Sequence, residues 1–132
     1  MPAKAVVVDA SVLGALLFGE PRAQEAFSLL QGAELFAPTL LPYELASVAR
    51  KKARRYPEQR EALVEALRLG LRIDLHLVEV DHEAALHLAL ETDLTTYDAS
   101  YLHLARSLGV PLLTFDQRLQ EEAAHPGGDS HA

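Results

Sequence analysis

Short apolar runs alternate along this chain with longer segments whose apolar residues recur at helical spacing. Ala5 to Val8 is an unbroken Val-rich run, the pattern of a strand covered on both faces, and it ends at Asp9. Ser11 to Phe18 reads as a helix broken by Glu20-Pro21. Arg22 to Gln31 reads as a second, with Ala23, Ala26, Phe27 and Leu30 on one stripe and Gly32 as its stop. Glu34 to Ala37 predicts a short strand. A long helix follows from Leu40 to about Tyr56, with Pro42 tolerated in its first turn. Pro57 opens another helix to about Leu71, on which Leu63, Leu67 and Leu71 recur every fourth residue.

Ile73 to Val80 predicts a third strand. Ile73, Leu75 and Leu77 alternate with Asp74 and His76, so this strand should be less enclosed than the first. Asp81 caps a helix to about Leu90, with Ala84 or Ala85 and Leu88 facing inward. Thr96 begins a helix that Gly109 ends. Val110 to Phe115 predicts a fourth strand, and Asp116 to Ala124 a last helix. Strands separated by helices imply right-handed crossovers and a parallel sheet covered on both sides. The expected fold is therefore α/β, a three-layer α/β/α sandwich with a short parallel sheet. It forms one domain over residues 1–124, followed by a flexible tail over residues 125–132, where Pro, two Gly and polar residues collect.

Composition narrows the chemistry. With 132 residues the chain has room for one real core without staples, burying about two-thirds of its unfolded surface. The absence of Cys excludes a disulfide framework, zinc knuckles and thiol catalysis. A formal charge of −7 argues against clamping nucleic acid by charge alone, though not against binding it where metal ions do the neutralising. No run approaches the roughly 20 apolar residues of a membrane-spanning helix, and the N-terminus lacks the order of a signal peptide. The expectation is a cytoplasmic protein without a membrane partner.

Ligands of parallel α/β sheets bind beyond the carboxyl ends of the strands. Asp9 and Asp116 fall there, each ending an apolar strand and opening a helix; helix capping alone accounts for either. Asp98 lies in the first turn of its helix and shares a stripe with Leu102 and Ala105, so it faces protein. Glu44 lies one turn into the middle helix, flanked by Leu41 and Val48. If the four meet, each pair at about 5 Å repels by roughly 3 kcal/mol at an effective dielectric of about 20. Six pairs reach roughly 20 kcal/mol, more than the 5–15 kcal/mol that holds a typical domain together. Such a cluster needs cations or bound protons. Oxygen donors without Cys or a fitting His suit Mg²⁺ or Mn²⁺.

Val7-Val8-Asp9-Ala10-Ser11, Glu44, Tyr97-Asp98-Ala99 with Leu104-Ala105, and Leu113-Thr114-Phe115-Asp116 together resemble the PIN-domain family, over about residues 5 to 120. Within it the resemblance is to the small VapC-type toxins of prokaryotic toxin–antitoxin pairs. It implies a Mg²⁺- or Mn²⁺-dependent endoribonuclease that cleaves RNA phosphodiester bonds with metal-activated water. Asp9, Glu44, Asp98 and Asp116 match the family's four acidic positions, as metal ligands and catalytic groups. Ser11 and Thr114 match its hydroxyl-bearing positions, which hold the acids or a water in place. The resemblance also implies a cognate antitoxin protein and a homodimer, for which the helices from Leu40 to Leu71 carry enough apolar surface. The family usually closes with a fifth strand, and no convincing one follows Asp116.

Arg50-Lys51-Lys52-Ala53-Arg54-Arg55 is a basic run on an acidic chain. Lys51 and Arg55 share the face of Glu44, about 10 to 17 Å along the helix at 1.5 Å per residue. They are candidates for holding RNA phosphates, or a solvated helix end whose cations oppose the dipole. Tyr43 and Tyr97 each precede a candidate acid; neighbours on a helix point apart, which favours core or interface over base stacking. Asp9-Ala10-Ser11-Val12-Leu13-Gly14 lacks the glycines and Lys of a phosphate loop and the second acid of a dehalogenase-like phosphatase. It also lacks the glycines of a nucleophile elbow, and no Lys follows a late strand as in a receiver domain. The competing class is a catalytically inactive PIN-like module that binds RNA or protein through the same surface.

Overall fold

The computed structural model describes residues 4–125. Its elements are β1 (Lys4–Val8), α1 (Ala10–Leu17), α2 (Ala23–Leu30), β2 (Ala33–Pro38) and α3 (Leu41–Arg55). A 3₁₀ turn (Pro57–Gln59) leads into α4 (Arg60–Gly70), β3 (Leu75–Val78), α5 (His82–Thr92), α6 (Thr96–Leu108), β4 (Leu112–Leu113) and α7 (Gln117–Ala123). Four strands form one parallel sheet in the order β3-β2-β1-β4.

The sheet is sandwiched as its pattern predicts. Val6, Val7 and Val8 of the central strand are fully buried. Helices α1 to α4 pack on one another, α5 to α7 do the same, and α6 lies against β1 and β2. Val12, Leu13, Leu41, Leu45 and Tyr101 join the β1 valines in the main core, while Leu88, Ala99, Leu102 and Leu119 close a second cluster around α5, α6 and α7. Gly109 ends α6 in the left-handed conformation, at φ 69°, where glycine carries no Cβ penalty.

Two predicted strands are shorter than their apolar runs. β3 sits on the sheet edge and pairs only with β2, whose last residue Pro38 meets Val78. The Ile73 amide donates instead to the Gly70 carbonyl. β4 pairs only at Leu112 and Leu113. Pro111 before it has no N–H to give, and after it the Phe115 amide donates to the Ser11 hydroxyl rather than to a ladder. Among the described residues the sheet has four strands and α7 follows Asp116, as the sequence indicates. The expected tail lies, apart from His125, outside the described residues. No helix among those residues is long and apolar enough to cross a membrane.

β2 and β3 extend the sheet to one side of β1, and β4 lies on the other. The chain thus reverses its direction of travel between β1 and β4. That switch point opens a crevice at the carboxyl ends of these two strands.

Candidate active site

Asp9 leaves β1 into this crevice and caps α1. Its Oδ1 accepts from the Ser11 and Val12 amides at 3.0 and 3.2 Å and from the Ser11 hydroxyl at 2.6 Å. Its own amide donates to the Leu113 carbonyl, which ties it to β4. The residue is only 6% exposed. Burial pushes its carboxyl above the ordinary value, against the pull of the Ser11 and Thr114 hydroxyls and the α1 amides.

Ser11 is the joint between β1 and the segment after β4. Its hydroxyl donates to Asp9, accepts from the Phe115 amide at 2.8 Å and lies 3.4 Å from the Thr114 hydroxyl. Thr114 Oγ1 in turn accepts from the Asp116 amide at 3.0 Å, and Asp116 caps α7 by accepting from the Leu119 amide at 2.8 Å. One hydrogen-bonded chain therefore runs Asp9–Ser11–Thr114–Asp116 across the crevice. Buried Thr114 and exposed Asp116 lie at its far side.

The other two acids enter from helices. Asp98 stands in the first turn of α6, whose cap is Thr95; the Thr95 hydroxyl accepts from the Asp98 amide at 3.0 Å. Leu102 and Ala105 on its stripe are buried, as the spacing predicts. Burial raises the Asp98 carboxyl, and the negative charges of Asp116 and Asp9 raise it further. Glu44, half-buried at the start of α3, is raised by burial and by Asp98 and Asp9, while a hydrogen bond from Tyr101 offsets part of this.

Tyr101 is a residue that sequence reasoning misses. It is almost wholly buried, and its hydroxyl donates to Glu44 Oε1 at 2.6 Å. Burial first, then Glu44, holds its phenol well above the ordinary range, so it remains a donor. A signal existed: Tyr101 follows Asp98 by one helical turn. In an apolar stripe, however, a tyrosine reads as core.

The charges of Asp9 and Asp98 reach Glu44, and those of Asp9 and Asp116 reach Asp98, so the four candidate acids are linked through these two helix positions. Lys51 and Arg55 do not join them. They line a separate small cleft with Glu20, Lys52 and Tyr56, where Lys52 pairs with Glu20. Tyr43 and Tyr97 are both exposed, which removes the core half of the core-or-interface expectation. His76 pairs with Glu34 and His87 with Glu83.

The donors fit a hard divalent cation in type and charge, being carboxylate oxygens without sulfur or imidazole. Asp9, Glu44 and Asp116 each commit one oxygen to the bonds above and keep the second outside them. Among the described residues, no three carboxylate, imidazole or thiol groups stand gathered into a ready shell for one ion.

Known proteins share this arrangement of chain. A family description of the PIN domain matches residues 6–125. Ribonuclease VapC3 from Pyrobaculum aerophilum is 35% identical over 122 residues, covering 89% of this chain and 93% of that protein. The crystal structure of PAE2754, also from Pyrobaculum aerophilum, superposes with a TM-score of 0.74 at 28% identity, over 90% of this chain and 84% of that one. The Mycobacterium tuberculosis VapC20 structure, described as a Sarcin-Ricin loop cleaving toxin, gives a TM-score of 0.65 at 16% identity, over 89% and 94% of the two chains, and supports the fold alone. With a family match over nearly the whole chain and a relative above 30% identity, the chain belongs to the PIN-domain family.

Proposed function

We propose that this protein is a Mg²⁺- or Mn²⁺-dependent endoribonuclease of the VapC type, the toxin of a toxin–antitoxin pair, acting in the cytoplasm. One observation supports the reading: at the switch point of a PIN fold, Asp9 is buried at the end of β1 and hydrogen-bonded through Ser11 and Thr114 toward Asp116, and its charge reaches Glu44 on α3 and Asp98 on α6. The 35% identical relative is named a ribonuclease, which agrees with it.

Asp9, Glu44, Asp98 and Asp116 would hold the cation. When bound, it would supply positive charge to the phosphodiester and ease loss of a proton from the water that adds to phosphorus as the P–O bond to the leaving oxygen breaks. The protein's own groups prepare that step. Ser11 fixes the orientation of Asp9 while bracing the Phe115 backbone. Tyr101 holds Glu44 by Oε1 and leaves Oε2 outside that bond. Carboxyls raised by burial and mutual repulsion gain most from an added positive charge, so the site's own strain favours cation binding.

The antitoxin would be a partner that blocks the acidic pocket. A groove of about 520 Å³ between α3 and α4, lined by Ala49, Leu63 and Leu67 with Arg50, Arg54 and Arg60 beside them, would serve the homodimer. Lys51 and Arg55 would guide RNA phosphates toward the acids, and the protein would act as a homodimer.

The test is RNA cleavage by the purified chain with Mg²⁺ or Mn²⁺, then with EDTA. Cleavage that needs the cation and disappears in Asp9→Asn, with an unchanged circular dichroism spectrum, supports the proposal. Full activity in Asp9→Asn refutes it. The competing reading, an inactive RNA- or protein-binding module, draws on the ungathered ligand shell. Wild-type protein that binds RNA but neither cleaves it nor takes up Mn²⁺ would establish that reading instead.

A further inference from the structure

Tyr43 and Tyr97 are 80% and 65% exposed, although each precedes an acid of the site. They line one open cleft of about 420 Å³, together with Leu40, Glu44 and Ser47. Among the described residues neither phenol makes a side-chain hydrogen bond with the protein. Two large aromatic rings are thus held in water by the starts of α3 and α6, where folding does not require them.

Glu44 belongs to two places at once. It lines this cleft, and through Tyr101 and its coupling to Asp98 and Asp9 it belongs to the acidic site. A nucleotide with its phosphate at the acids therefore has its base within reach of the tyrosines. The chemistry of the cleft selects the base over the phosphate. Its lining offers two π-faces, the Leu40 side chain and a Ser47 hydroxyl, and no cation; Glu44 repels a bare phosphate. A base paired inside a duplex is stacked on its neighbours and cannot enter, whereas an unpaired base can.

We propose that Tyr43 and Tyr97 form a stacking subsite for one unpaired nucleobase beside the RNA bond that is cut. This rests on the ribonuclease reading and deepens it at one contact, the pair of rings that takes the base next to the cut. Stacking on an aromatic face tolerates any base, so the subsite selects unpaired nucleotides rather than a sequence.

The experiment measures binding of a fluorescein-labelled 12-nucleotide single-stranded RNA of mixed sequence by anisotropy, in the non-cleaving Asp9→Asn chain. The comparison probe is an abasic ribose-phosphate 12-mer. Tyr43→Ala and Tyr97→Ala should each weaken binding of the base-bearing RNA about tenfold. Binding of the abasic strand should stay unchanged, and Tyr43→Phe and Tyr97→Phe should keep full affinity. Equal losses on both probes, or no loss with Ala, overturn the proposal. So does sedimentation in which the Ala variants turn a dimer into a monomer at assay concentration, since the rings would then cover a second copy. Failure of the underlying reading looks different: the unaltered chain would cleave no RNA with either cation. Cleavage by the unaltered chain with Ala variants of full affinity refutes the stacking subsite alone.

Discussion

Asp9 and Asp81 have nearly the same local structure and different surroundings. Each follows a strand segment and caps the next helix. Asp9 accepts from the Ser11 and Val12 amides at 3.0 and 3.2 Å, and Asp81 from the Glu83 and Ala84 amides at 3.0 and 3.2 Å. Yet β1 is central and β3 is the sheet edge. Asp9 is buried and its charge reaches Glu44 and Asp98, and Asp81 is exposed. The strand–Asp–helix unit specifies a cap; sheet order decides whether the cap is also part of a site.

The largest effect expected from this contrast is on activity. Asp9→Asn should lower metal-dependent RNA cleavage at least about a hundredfold, while Asp81→Asn leaves the rate unchanged, both read from initial rates on one RNA. Equal losses would dissolve the contrast. Next comes Tyr101→Phe, which removes one oxygen and keeps the ring. It should weaken metal affinity and turnover by about 10- to 100-fold, because Glu44 loses the donor that orients it. Unchanged affinity would show that Glu44 needs no such support.

A smaller effect concerns stability. Burial raises the Asp9, Glu44 and Asp98 carboxyls, so the folded chain holds protons that the unfolded chain releases. The stability linked to these groups is fully present below the ordinary carboxylate range and is lost as pH climbs through the raised values. Asp9→Asn imitates the protonated form and its Oδ1 can still cap α1. In metal-free buffer its Tm should exceed that of the unaltered chain at pH 7 by on the order of 5 °C, and the gain should vanish in acid below the ordinary carboxylate values. Scanning calorimetry across pH decides. The smallest effect belongs to Asp81→Ala, which should cost about 1 kcal/mol in chemical denaturation through the lost α5 cap and leave cleavage untouched.

Much of this was legible in sequence because its causes are local. The Val6-Val7-Val8 run, the Gly109 stop and the Asp and Thr caps each act within a few residues. Strand ends, helix stripes and the family resemblance are what make Asp9, Glu44, Asp98, Asp116 and the Ser11 and Thr114 hydroxyls candidates. What escaped depends on partners distant in sequence. Tyr101 reads as core until α3 brings Glu44 to it. Val110 to Phe115 reads as a full strand until the Ser11 hydroxyl takes the Phe115 amide. Tyr43 and Tyr97 were assigned to core or interface by the divergence of neighbouring helix positions. That rule says which way a side chain leaves its own helix, but not what stands opposite.

Manganese titration by isothermal calorimetry tests the central claim most directly, since it reads the acidic site without substrate. The unaltered chain should bind Mn²⁺ with affinity that Asp9→Asn largely destroys and Asp81→Asn leaves intact. Equal heats from all three proteins, or none from the unaltered chain, would contradict a cation site at the switch point.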